Sequence, residues 1–79
     1  MSSAIERMIA FHLARLKDKN PDVRIKSIEE LSLLGAVQVM DELETIFRTD
    51  LDENVRAAAK KAGRELFIKS RSNDNNKPG

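Results

Sequence analysis

"NPDVRIKSIEELSLLG", residues 20–35, reads as one complete short helix. Asn20 is a polar cap, and Pro21 suits the first turn, where an N–H would have no intrahelical partner. Gly35 is the stop, because a residue without Cβ tolerates the left-handed conformation that closes many helices. Thirty-two residues further on, "DENVRAAAKKAGREL" (52–66) opens on a similar Val-Arg pair. Saying nearly the same thing twice is how a helical repeat is written.

Working outward, four amphipathic segments fill most of the chain. Residues 3–17 open with Ser3 and Glu6 at capping-box spacing, and Ile5, Met8, Ile9, Leu13 and Leu16 recur on one helical face. Residues 21–34 carry Val23, Ser27, Leu31 and Leu34 in a stripe widened by Ile28, with Asp22 and Lys26 at pairing distance. Residues 36–48 are expected to turn Val37, Met40, Leu43, Ile46 and Phe47 inward. Asp41, Glu42 and Glu44 then make an acidic outer face. Residues 53–69, capped by Asp52 or by Asp50 with Glu53, have a small lining of Ala58, Ala59, Ala62 and Gly63, then Leu66 and Phe67. "KDKNPD" and "TDLDEN" break the pattern between helices. Short connections of this kind join antiparallel neighbours. "SRSNDNNKPG" (70–79) has no apolar side chain to offset its ordering entropy and reads as a disordered tail after a domain of residues 1–69.

A shift of thirty-two places Ile5 on Val37, Met8 on Met40, Phe11 on Leu43 and Ala14 on Ile46. It also places Asp18 on Asp50, Val23 on Val55, Arg24 on Arg56 and Leu34 on Leu66. Helical periodicity explains the apolar matches. It does not explain the Asp and Val-Arg matches. With Asp18, Val23, Arg24, Ser27, Leu31, Leu34 and Gly35, and again Asp52, Val55, Arg56, Ala58, Ala59 and Leu66, the chain resembles the short HEAT-like repeats found in phycobilin lyase subunits and many bacterial and archaeal proteins. The resemblance implies an all-α mini-solenoid of about four antiparallel helices, one full repeat flanked by two half-repeats. It also implies a structural ladder, in which Arg24 and Arg56 bond to acidic groups such as Asp18 and Asp50 at the turns between repeats. Two departures are visible: Ala36-Val37 stands where the family has Asp-Pro, and Gly63 where it has Leu.

Composition narrows the function. Seventy-nine residues make one small domain, which buries only about 60% of its unfolded surface. Without cysteine there is no disulfide or thiolate metal site, which suits a reducing cytoplasm. A single His leaves no second imidazole for a typical zinc centre. The net charge of +1, with no Trp or Tyr, argues against nucleic acid and against a base-stacking platform. No apolar run approaches the roughly 20 residues that cross a bilayer, and the first residues lack the pattern of a secretory signal.

Individual residues point the same way. His12 has no nucleophile or carboxylate beside it in the helical register. Asp41, Glu42 and Glu44 sit where a helix dipole already favours acids. No phosphate loop, catalytic triad or metal-spacing motif is present, so the expectation is no enzyme, no cofactor and no metal. Lys60, Lys61 and Arg64, followed by Lys69 and Arg71, make the last helix basic. Phe11 lies outside the arc that one neighbour could cover. Phe11, Lys60, Lys61 and Arg64 are therefore the candidate partner-binding residues. The expected function is a cytoplasmic, non-catalytic protein–protein interaction module, a scaffold or adaptor that binds another protein or forms a weak homodimer. The resemblance also implies an accessory role in phycobiliprotein or tetrapyrrole handling. A nucleic-acid-binding repeat is the third alternative.

Overall fold

The computed structural model describes residues 3–75. It contains four α-helices: α1 (Ala4–Arg15), α2 (Pro21–Leu33), α3 (Met40–Thr49) and α4 (Glu53–Asn75). A single 3₁₀ turn, Val37–Val39, leads into α3, and among the described residues there is no strand. The chain adopts the all-α arrangement of four helices.

Local chemistry sets most helix ends. At α1 the Ser3 hydroxyl accepts the Glu6 N–H at 3.1 Å, and the Glu6 carboxylate accepts the Ser3 N–H at 2.8 Å. Each satisfies a backbone donor that the helix leaves open. The Ser3 N–H, with its hydroxyl, holds the Glu6 carboxyl below its ordinary range. Asn20 Oδ1 accepts the Asp22 N–H at 2.9 Å, with Pro21 in the first turn of α2. That helix closes at Gly35, φ 69°, where the Gly35 N–H reaches Ser32 O at 3.0 Å and the Ala36 N–H reaches Leu31 O at 3.1 Å. Leu31 and Ala36 are both buried, the apolar contact that accompanies this ending. Asp52 Oδ1 accepts the N–H groups of Asn54 and Val55 at 2.8 and 2.9 Å, which makes Asp52 the cap of α4.

The start of α3 departs from the expectation. No side chain caps it, and the chain enters through the 3₁₀ turn instead of beginning an α-helix at Ala36. The tighter turn changes the phase of the helix that it leads into. Ala36, Val39 and Leu43 are buried, while Val37 and Phe47, expected inside, are exposed.

The core joins Ile9 and Leu16 of α1, Ile28 and Leu31 of α2, and Ala36, Val39 and Leu43. From α4 come Val55, Ala59, Ala62 and Leu66. α4 is the central element and packs on both α2 and α3, whereas α1 rests mainly on α2. Ala59 and Ala62 let α4 lie close to its neighbours. A polar tie crosses the α2–α4 junction: the buried Ser32 donates its hydroxyl to Glu65 Oε1 at 2.8 Å, and Lys69 donates to Ser32 O at 3.3 Å. Glu65 and Lys69 thus both engage α2. Lys26 pairs with Glu30 at 3.3 Å, not with Asp22.

Two further differences concern register and length. Ile9, Leu13 and Leu16 line the core as Val39, Leu43 and Ile46 do, a shift of thirty and not thirty-two. The reason is the distance to the next helix: Leu16 lies five residues before the start of α2, whereas Ile46 lies seven before the start of α4. Ile5, Met8 and Phe11 consequently point away from the core. α4 continues past the end expected at Lys69 to Asn75. Nothing in residues 70–75 breaks a helix, and they have middling propensity. Residues 76–79 lie outside the described residues.

Ala59→Leu is expected to destabilise the protein by about 1–3 kcal/mol through overpacking, whereas Lys60→Leu, one position round the helix, should be tolerated. Urea unfolding of the two variants checks the assignment of the α4 faces.

Candidate functional site

Arg24 is the most heavily bonded side chain outside the core. Its Nε donates to Asp50 Oδ2 at 2.9 Å and its Nη2 to Asp50 Oδ1 at 3.0 Å, a bidentate grip. Its Nη1 donates to the carbonyls of Asp18 at 2.8 Å and Lys19 at 3.1 Å. One guanidinium therefore ties the α1–α2 connection to the α3–α4 connection. Both partners are shielded, with 15% and 10% of their side chains exposed.

Arg56 repeats half of this pattern. Its Nη1 donates to the Asp50 carbonyl at 2.6 Å, six residues back, as Arg24 reaches the carbonyl of Asp18. Asp18 Oδ1 accepts the Asn20 N–H at 2.9 Å, and Asp50 Oδ1 accepts the Asp52 N–H at 3.0 Å. The thirty-two-residue repeat thus recurs at the turns in these two pairs of equivalent bonds. One rung differs: Asp50 offers its carboxylate to Arg24, whereas no arginine holds the Asp18 carboxylate among the described residues. Likewise, among the described residues, the Nε–Nη2 edge of Arg56 carries no carboxylate.

Burial pushes the Asp50 carboxyl upward. The hydrogen bonds from Arg24 and the Asp52 N–H, with the charges of Arg24 and Arg56, outweigh it and hold the group below its ordinary value. A carboxyl depressed in the folded state contributes stability above its unfolded pKa, and that contribution is lost as pH falls through the folded value.

The remaining candidates are dispersed. Phe11 is 57% exposed at the α1–α2 end of the molecule, with the Arg15 guanidinium 5.3 Å from its ring centroid and the His12 ring edge-on at 5.1 Å. His12 Nδ1 is buried and has no hydrogen-bond partner. Lys60 and Arg64 border a groove between α3 and α4, while Lys61 also faces the α2–α4 junction beside Glu29 and Glu65. The groove, about 560 Å³, is lined by Met40, Phe47, Gly63, Phe67 and Ile68, with Asp41 and Glu44 on its α3 side. Lys60 stands 6.0 Å from the Phe47 ring and Arg71 stands 5.7 Å from the Phe67 ring. Helical periodicity alone puts Phe47 and Phe67 inside and does not reveal this groove. Among the described residues, no group of three or more His, Asp or Glu could hold a metal ion, and no helix is long and apolar enough to cross a membrane.

A family model described as HEAT repeats matches residues 4–62. No curated protein and no solved structure matches the chain.

Arg24→Ala is expected to cost about 3–5 kcal/mol, because it leaves Asp50 charged and unpaired in a shielded place. Arg15→Ala, whose contact with Phe11 is exposed, should cost about 0.5–1 kcal/mol. Chemical unfolding of the two variants measures the difference. In a pH series, wild type should lose stability as the pH falls below the usual carboxylate range of about 3.9, and Asp50→Asn should lose less over the same window.

Proposed function

The chain belongs to the HEAT repeats, and from that premise we propose that it is a non-catalytic protein-interaction module, an adaptor that works by display. HEAT repeats generally mediate protein–protein contacts. The observation that carries the reading is the location of the large apolar side chains left outside the core. Ile5, Met8 and Phe11 are exposed on α1, and Phe47, Phe67 and Ile68 are exposed around the α3–α4 groove. Aromatic side chains flanked by arginine and lysine are the composition that protein interfaces favour. Phe11 with Arg15 at one end, and Lys60, Lys61 and Arg64 at the other, are the proposed contact residues.

The test is quantitative capture of partners from the native organism on tagged wild type, on Phe11→Glu and on Lys60→Glu/Arg64→Glu, each first shown to be folded by circular dichroism. The reading expects a protein bound by wild type and lost from at least one variant. Capture of the same proteins at the same level by all three would contradict it.

A further inference from the structure

The two hairpins place different residues at equivalent positions, and the difference has a direction. On α2, Arg24, Ile28 and Ser32 form one row at four-residue spacing. That row is covered: Arg24 by the Asp50 carboxylate, Ile28 by the α4 side of the junction, and Ser32 by Glu65. Thirty-two residues on, the same row of α4 is Arg56, Lys60 and Arg64, and Gly63 stands where α2 has the buried Leu31. The α4 row is not covered. Lys60 and Arg64 are exposed beside Phe47 and Phe67, and the Nε–Nη2 edge of Arg56, which on Arg24 grips a carboxylate, has none among the described residues.

We propose that this α3–α4 end face docks an amphipathic helix of a partner protein that carries carboxylates along the flank facing α4. The proposal rests on the interaction-module reading above and names its chemistry. Geometry comes from the repeat: the equivalent row of α2 already receives a helix, α4, with an acidic residue of the preceding connection on its arginine. Chemistry comes from the substitution of Ile28 and Ser32 by Lys60 and Arg64. An apolar stripe fits over Met40, Phe47 and Phe67, an acid near the helix start sits on Arg56, and further acids meet Lys60 and Arg64. Asp41 and Glu44 on the opposite rim disfavour acids there, which fixes which flank faces α4.

Other occupants fit less well. A second copy stacked in the same register would bring Lys26 and Glu30 where the internal junction has Ala58 and Ala62, setting Lys26 near Lys60. A nucleic-acid backbone would meet Asp41 and Glu44 on one rim and an apolar floor in the groove.

The probe is a synthetic helix of about 20 residues, roughly 30 Å long. It has an Asp at its N-terminal cap, a leucine stripe and glutamates along one flank. A version with lysine for glutamate is the control, and a DNA duplex of similar length is a third arm. Binding to wild type is followed by fluorescence anisotropy at two salt concentrations and by amide chemical-shift mapping. The acidic peptide should bind about tenfold or more tightly than the lysine peptide and weaken with salt. The shifts should centre on Phe47, Gly63, Arg64 and Phe67. Lys60→Gln/Arg64→Gln should remove the preference while leaving the thermal midpoint within a few degrees of wild type. Equal binding of both peptides, shifts centred on Phe11, tighter binding of the duplex, or dimerisation of wild type through the same amides in sedimentation would each overturn the proposal. Partner capture that depends on Phe11 and not on the α4 cations would overturn it as well, and would leave the interaction-module reading standing.

Discussion

The Arg24–Asp50 pair is the contact on which the two-hairpin arrangement depends. A small helical domain has little core to spare, and here α1 and α3 make few contacts with each other. What aligns the hairpins is the α2–α4 junction, and at its loop end one guanidinium spans both connections. The planar fork engages both carboxylate oxygens at once, so the pair restricts direction as well as distance. At the far end of the same junction, Ser32, Glu65 and Lys69 form a second polar tie. Between the two lie Ile28, Ala58 and Ala62, and the two alanines let the helices approach closely. Polar contacts at both ends and small apolar residues between them leave α4 one position on α2.

The ends of the unit obey the opposite rule. Solenoids need polar terminal faces, because a row that would pack on a neighbouring repeat is otherwise exposed. Lys26 and Glu30 occupy on α2 the positions of Ala58 and Ala62 on α4, and Lys60 and Arg64 occupy on α4 the positions of Ile28 and Ser32 on α2. Charge therefore replaces packing at each outward row. The replacement is incomplete, since Phe11 at one end and Phe47 and Phe67 at the other stay exposed.

How much of this was legible in the sequence depends on how local the cause is. Ser3, Asn20 and Gly35 act within a few residues of themselves, so their roles at helix ends could be read directly. The interior of α2 was legible too, because a regular helix keeps its phase. Phase was lost where geometry changed. The uncapped entry to α3 through a 3₁₀ turn buries Val39 in place of Val37, and the shorter stretch between Leu16 and α2 moves the register of α1 by two. Neither shows in a hydrophobic pattern that assumes α-helix throughout. For the site, the sequence marks Asp18, Arg24, Asp50 and Arg56 as repeated positions. It does not say that Asp18 offers Arg24 a carbonyl while Asp50 offers a carboxylate. The Ser32–Glu65 bond and the groove around Phe47 and Phe67 depend on helices distant in sequence, and no spacing rule reveals them.

The central claim is that Arg24 and Asp50 act as one unit in joining the hairpins. The most direct measurement is a double-mutant cycle of Arg24→Ala and Asp50→Ala, with stability taken from urea unfolding at neutral pH. The account predicts that the double variant is less destabilised than the sum of the single ones, with a coupling of about 1–3 kcal/mol. A coupling near zero, with the two losses simply adding, would contradict it.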